Sequence, residues 1–262
     1  MAEQQIRFDD GASYERMMGV WSRLAGDVFL DWLAPPTGLR WIDIGCGNGA
    51  FTELLVERCA PSEVQGIDPS PAQLAFARTR DGARIAEFRQ GDAMALPFAN
   101  SAFDAAVMAL VIFFIPDPAK GVAEMVRVIR PGGTAAAYAW DILGGGLPIA
   151  PIEVGMRAMG LTPLHPPRSE ISQLEALRQL WQDAGLQDVE TKVIAVKRTF
   201  TDFEDYWTNS LLIPSLGPII GALAPSELER LKSSVRALLP ADAAGRIVHE
   251  ARANAVKGIL PK

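Results

Sequence analysis

Leu39-Arg40-Trp41-Ile42-Asp43-Ile44-Gly45-Cys46-Gly47-Asn48-Gly49-Ala50 is the stretch on which the fold turns. Its first half, Leu39 to Ile44, reads as a strand, and from about Ala50 to Arg58 the spacing predicts a helix. Three glycines join the two. Glycine lets backbone approach a ligand closely, and the start of a helix offers unpaired N–H groups to a carboxylate or phosphate. Gly45, Gly47 and Ala50 fit the pattern G-x-G-x-x-G/A, and Asp68 lies at the spacing of a ribose-binding acid. Taken alone, the turn does not choose between a dinucleotide, another ligand and a plain tight βα junction.

Outward from this turn, helix-like and strand-like segments alternate, which predicts a mostly parallel sheet covered on both faces. Val64–Ile67 and Arg84–Phe88 read as the second and third strands. Phe103–Leu110 is a nearly unbroken apolar run, as expected of a strand buried on both faces. Pro131-Gly132-Gly133 reads as a turn, with a fifth strand from Thr134 to Trp140. Ser70, Pro71 and Gln73 make a helix start with a capping box, and Asp117-Pro118 repeats the cap and proline for a helix to Ile129. Ser172 with Glu175, and Ser226 with Glu229, predict two more capped helices. Upstream, Ser13 to Leu33 has near-helical spacing, and Pro35-Pro36 end it. Val189–Thr199 and Arg246–Lys257 predict an antiparallel pair closing the sheet. The expected fold is α/β, a doubly wound, seven-stranded, mostly parallel sheet with an antiparallel last strand and a helical cap. A single domain over residues 1–262 is expected. Its core takes about 37–140, 171–200 and 246–262, and its cap about 1–34, 141–170 and 201–245. The cap segments interrupt the sheet rhythm, and such long connections are often functional.

Composition narrows the partners. A net charge of -6 gives no electrostatic footprint for nucleic acid. The longest apolar run, Ala105 to Ile115, is too short to span a bilayer, and the first residues lack the basic start and apolar region of a signal peptide. With two cysteines, Cys46 and Cys59, and two histidines, neither a disulfide framework nor metal-ligand spacing is present. The expectation is a reduced cytoplasmic protein without metal, a monomer or homodimer acting on a small molecule.

Three features then favour one ligand. Asp43 stands two residues before Gly45, where it would repel a pyrophosphate and attract the cationic methionyl end of S-adenosylmethionine (SAM). Gly91-Asp92-Ala93 follows the third strand, and a carboxylate there accepts a hydrogen bond from an adenine amino group. The loop Val111 to Pro118 carries no charge before Asp117, which makes a dry lip beside a sulfonium.

The ordered series DIGCGNG (43–49), GIDPSPAQLAFAR (66–78), GDAMALPFANSAFDAAV (91–107) and IPDPAKGVAEMVRVIRPGG (115–133) resembles class I SAM-dependent methyltransferases. It is most similar to the type 11-like branch, which includes quinone-biosynthesis C-methyltransferases and many small-molecule enzymes. The resemblance covers about residues 39–140 and implies a Rossmann-like methyltransferase fold, SAM as cofactor and S-adenosylhomocysteine as product. Carried over by position, Asp43, Gly45, Cys46, Gly47 and Asn48 surround the methionyl part. Asp68 bonds the ribose hydroxyls, with Pro69 and Ser70 beside the adenine. Asp92 and Ala93 hold the adenine, and Ala109 and Leu110 floor the sulfonium. Tyr14, Arg16, Met18 and Trp21 are candidates to close over the cofactor, or are simply one face of an amphipathic helix.

One departure bears on chemistry. Many relatives carry histidine in the loop after the fourth strand, where this chain has Phe113-Phe114. No base is evident at that lip, which leaves His165, Tyr138, Asp141, Tyr206 and His249 as candidates. Phe113, Phe114, Trp140, Phe203, Tyr206 and Trp207 are either core packing or the walls of an apolar substrate chamber. The implied activity is methyl transfer to a small apolar or aromatic acceptor by in-line displacement. A SAM-binding protein without methyl transfer, or a nicotinamide-dependent dehydrogenase, are the alternatives.

Overall fold

Residues 18–262 are described by the computed structural model, so Tyr14, Arg16 and the expected helix start at Ser13 lie outside the described residues. Strands β1 (Arg40–Ile44), β2 (Glu63–Asp68), β3 (Ala86–Gln90), β4 (Phe103–Ala109), β5 (Ile129–Trp140), β6 (Gln187–Phe200) and β7 (Ile247–Ile259) form one sheet. Their order is β3-β2-β1-β4-β5-β7-β6. The first five run parallel, and β7 is antiparallel to both β5 and β6. The parallel core and the antiparallel closing pair expected from the sequence are both present.

Helices α1 (Val20–Leu33), α2 (Ala50–Cys59), α3 (Pro71–Ala77), α4 (Pro118–Val128), α5 (Ala150–Ala158) and α6 (Leu174–Asp183) come first along the chain. After β6 follow α7 (Phe203–Ser210), α8 (Gly217–Ile220) and α9 (Pro225–Leu238). Strand pleating assigns them to layers. Tyr138 packs against Phe29 of α1 and Phe51 of α2, at centroid distances of 4.8 and 5.8 Å. Ala135, three residues away on β5, points to the opposite face. There its carbonyl accepts the Trp181 indole N–H at 3.0 Å, from α6. Both faces are thus covered, which is why β4 can be apolar at nearly every position.

The local signals fared unevenly. Ser70 caps α3 through the Gln73 N–H, and Asp117 caps α4 through the Lys120 N–H. Pro131-Gly132-Gly133 is not a separate turn: it is a bulge inside β5, where the register against β4 jumps from Phe103↔Ile129 to Ala105↔Thr134. The predicted box of Ser172 and Glu175 does not form. The Ser172 hydroxyl accepts the Ile142 N–H and donates to the Ser169 carbonyl, and α6 begins after Gln173. At α9, Pro225 starts the helix earlier than predicted, and Glu227, not Glu229, reaches back to the Ala224 N–H.

The cap segments 141–170 and 201–245 meet through α5 and α9. A Cβ on Gly155 would stand 2.9 Å from Leu231 and 3.0 Å from Val235, so glycine sets that close approach. The first cap segment differs: α1 packs chiefly on α2, β6 and β7, covering a face of the sheet. The glycine run 144–146 is tied down. Gly146 exchanges backbone bonds with Asp141 and Arg252, and Arg252 donates to the Gly144 carbonyl.

Candidate active site

Strand order reverses between β1 and β4, which opens a crevice beyond their carboxyl ends, where open α/β sheets bind ligands. β1 delivers Asp43 there, followed by the glycine turn. Gly45 has φ +75° and a Cβ added to it would fall 2.3 Å from the Val111 side chain. Only glycine fits that backbone and that gap. The Gly45 and Cys46 N–H groups both donate to the Ile67 carbonyl, at 2.7 and 3.0 Å, drawing the turn onto β2. Gly47, also at positive φ, faces open space. Asn48 is buried, and its side-chain oxygen accepts the Ala50 N–H at 3.2 Å as α2 begins.

Asp68, at the end of β2, accepts the Gly47 N–H at 2.9 Å and the Ser70 N–H at 2.8 Å, one on each carboxylate oxygen. It therefore ties the glycine turn to the start of α3. Burial pushes its carboxyl up, and the two N–H bonds oppose that. The Gly91 N–H donates to the Asp68 carbonyl at 3.2 Å, which brings the β3 end alongside. Asp92, exposed, folds its carboxylate back to the Met94 N–H, and Ala93 is half-buried beside it. Pro69 is exposed, and its carbonyl accepts from the Gln90 amide.

Asp43 is fully buried. One oxygen accepts the Thr52 hydroxyl at 2.6 Å, and the other has no partner among the described residues. Burial pushes its carboxyl up to about 7; the Thr52 bond opposes this and the nearby Asp68 charge adds to it. Cys46 lies among Leu74, Ala77 and Phe88, where burial, and then the Asp43 and Asp68 charges, push the thiol well up. It is a small packed residue, as its place between glycines suggests, and not a nucleophile.

Beyond β4 the backbone turns sharply. Ala109 ends the strand half-buried, and Leu110 takes φ +60°, unusual for a leucine, while its N–H donates to the Tyr138 carbonyl at 2.8 Å. Leu110 lines a cavity of about 70 Å³. Phe113, Phe114 and Trp140 wall the cavity on the sheet side. Ile149, Leu164 and Ile213 close it from the cap segments, and Met18 reaches it from the N-terminal side. Of the aromatic residues named from the sequence, Phe113, Phe114 and Trp140 line this cavity, whereas Phe203, Tyr206 and Trp207 are not among its lining residues. Trp21 is not on the chamber surface either. It is 1 % exposed and packs edge-on against Trp140, with Phe200 and His249 on its other sides.

The five candidate bases separate clearly. Tyr138 is core, Asp141 binds the Gly144 N–H, and His249 is wedged between Trp21 and Tyr206. Tyr206 is buried behind the wall with its hydroxyl toward the Pro148 carbonyl, and burial foremost pushes its ionisation up. His165 bonds a side chain of the chamber surface, Glu153, at 3.0 Å, whereas the Tyr206 hydroxyl meets only the Pro148 backbone there. Glu153 was not singled out by the sequence. Its spacing to Arg157 is that of an ordinary exposed helical ion pair, and only its apolar neighbours Ile149 and Ile152 hint at burial.

Residues 42–137 match a family model described as a methyltransferase domain. The chain is 41 % identical over 97 residues to 2-methyl-6-phytyl-1,4-hydroquinone methyltransferase 2, chloroplastic, of Oryza sativa subsp. japonica, covering 37 % of this chain and 28 % of that one. It is 40 % identical over 115 residues to a demethylmenaquinone methyltransferase of Thermus thermophilus, covering 43 % of this chain and 50 % of that one. The chain thus spans about half or less of the length of these relatives. Its fold is similar to that of a Haemonchus contortus phosphoethanolamine N-methyltransferase 2 solved with phosphomonomethylethanolamine and S-adenosylhomocysteine. The TM-score is 0.55 at 18 % identity, over 96 % of this chain and 57 % of that one. Over residues 42–137 the chain is therefore similar to a methyltransferase domain, and its seven-stranded sheet has the fold of the methyltransferase structure that it resembles.

Proposed function

We propose that this chain is a SAM-dependent methyltransferase acting on a small, apolar or aromatic acceptor, a ring compound of the quinone kind being the nearest precedent. The observation that carries the reading is Asp43. A carboxylate fully buried at the glycine turn with one oxygen unpaired is costly by itself, and a cationic amino-acid ligand would relieve the cost. Asp68 supports the same ligand. Its two N–H bonds use one lone pair on each oxygen, leaving acceptor capacity for two ribose hydroxyls.

In this reading Asp43, Gly45, Cys46, Gly47 and Asn48 hold the methionyl part, and Asp68, Pro69 and Ser70 hold the ribose and flank the adenine. Asp92 and Ala93 meet the adenine edge, and Ala109 and Leu110 lie under the sulfonium. Trp21 supports the chamber from behind Trp140 and does not cover the ligand. The cofactor supplies a methyl group already activated by positive sulfur. The protein's part is to align the acceptor with it and keep water out, and alignment alone is worth roughly 7–11 kcal/mol. Leu110, Phe113, Phe114 and Trp140 do both, as rigid apolar walls at the ends of β4 and β5.

Calorimetric titration tests the proposal. Saturable heat is expected with S-adenosylhomocysteine and none with NAD; the reverse pattern refutes it. Methyl transfer from labelled SAM to a panel of ring acceptors then separates an enzyme from a protein that only binds SAM.

A further inference from the structure

Among the described residues the chamber wall is apolar apart from two, Glu153 and Ser215. Glu153 stands on α5 with its side chain 2 % exposed. Arg157, one turn on, donates to one carboxylate oxygen at 2.9 Å, and the His165 ring nitrogen lies 3.0 Å from the other. Arg157 is half-exposed and His165 about one-quarter exposed, so both partners approach from the outer side. Leu164 and Pro166, on either side of His165, are themselves in the chamber wall, so the loop that carries the histidine also shapes the cavity. A carboxylate is costly among apolar groups, and well-packed apolar side chains would serve that wall better if it were only a wall.

The charge count limits what this carboxylate can receive. Arg157 already balances Glu153, so an ammonium entering the chamber would bring an unpaired positive charge into an apolar space. An anionic ligand would be repelled by Glu153 itself. An uncharged donor suffers neither penalty. Each oxygen has two lone pairs, of which Arg157 and His165 take one apiece, so acceptor capacity remains.

We propose that Glu153 takes hold of the acceptor by accepting a hydrogen bond from an uncharged hydroxyl on an otherwise apolar ring, with Arg157 and His165 as positioning residues. This rests on the methyltransferase reading above and sharpens its substrate class. Leu110 and the Phe113-Phe114 lip stand in the same chamber, so a hydroxyl fixed at Glu153 sets which atom of the ring meets the sheet side. Electron density drawn toward the ring from a hydroxyl bonded to a carboxylate also makes that ring or its oxygen a better nucleophile.

The test uses the full chain with S-adenosylhomocysteine present and 2-naphthol as probe. 2-Methoxynaphthalene, which lacks the donor, and 2-naphthylmethylamine, which is cationic, serve as controls. Calorimetry should show 2-naphthol binding about 10- to 100-fold more tightly than either control, the range for a hydrogen bond to a charged group. Glu153→Met should bring 2-naphthol down to the level of 2-methoxynaphthalene while leaving the affinity for S-adenosylhomocysteine unchanged. His165→Ala should narrow the ratio and His165→Gln, which keeps an N–H donor, should restore it. The ligand comparison needs no variant, so a misfolded Glu153→Met leaves it intact. Equal affinity for 2-naphthol and 2-methoxynaphthalene, tighter binding of the amine, or no saturable 2-naphthol binding overturns the proposal while S-adenosylhomocysteine still binds. Failure of S-adenosylhomocysteine itself to bind removes the methyltransferase reading, and this inference with it.

Discussion

Replacing Asp43 by asparagine should stabilise the protein at alkaline pH while weakening its hold on SAM. The magnitude follows from ionisation. In the folded chain the Asp43 carboxyl titrates at about 7, against 3.8 for an unperturbed group. Between those values the folded state holds a proton that the unfolded state has released. Stability from this group is therefore greatest at low pH, falls as pH rises toward 7, and levels off above it. Two of the three pH units of difference lie between pH 5 and 7, worth about 2.7 kcal/mol at 1.36 kcal/mol per unit. Some other carboxyls shift the opposite way, as Asp104 does where burial is outweighed by its bonds to Arg40 and Arg130. Those remote from Asp43 contribute equally to both proteins and cancel in the difference, whereas the repulsion from Asp68 is present in the parent alone and is part of the Asp43 shift. Asparagine retains an oxygen for the Thr52 hydroxyl and cannot ionise. Urea unfolding of both proteins from pH 5 to 9 should show Asp43→Asn gaining on the parent by about 2–3 kcal/mol across that range. The gain should saturate near pH 8. A difference between the two that does not vary with pH would refute the reasoning.

Gly45→Ala should cost about 1–2 kcal/mol for the left-handed backbone and about 1–3 more for the clash with Val111, read by urea unfolding. Adding Val111→Ala should relieve only part of the clash, because the Cβ at 111 would still stand 2.7 Å away, and Val111→Gly should relieve the clash but not the backbone penalty. Asp68→Ala should lower both stability and affinity for S-adenosylhomocysteine, since each lost bond to a carboxylate is worth about 1.5–3 kcal/mol before water compensates. A melting curve and a calorimetric titration check this, and lowered stability with unchanged affinity would reduce Asp68 to a turn residue. The Cys46 thiol, pushed up by burial, should resist iodoacetamide at pH 8 in the folded protein and react readily in urea.

The parts of this molecule that could be read in advance are those fixed by local spacing. The strand, glycines and helix of residues 39–58 require one another, and Asp43 and Asp68 lie at strand ends that the same spacing defines. Asp117 and Ser70 cap their helices with proline after each, although the Ser70 N–H goes to Asp68 and not to the Gln73 side chain, so the predicted box forms by half. Ser172 carries a capping pattern of the same kind, yet a distant N–H on Ile142 claims its hydroxyl. That competition is tertiary, and no window of sequence contains it. Trp21 shows the same limit: helical spacing says that it is buried, but not whether it faces a ligand or the back of Trp140. Glu153 is the plainest case. Four residues from an arginine, it resembles solvent-exposed pairing, and only the approach of α9 through Gly155 and the loop at Leu164 encloses it.

Among the described residues the chamber draws its walls from six stretches of the chain, around Met18, Leu110, Trp140, Glu153, Leu164 and Ile213. No unfolded or fragmentary form of the protein can reproduce that enclosure, so whatever fills it binds the native state alone. Any occupant must then add to the unfolding free energy, by about 2.7 kcal/mol at a concentration a hundredfold above Kd, and so raise the melting temperature. Heat resistance thus becomes an assay for the unnamed acceptor. A library of ring compounds can be sorted by thermal shift before any of them is shown to react.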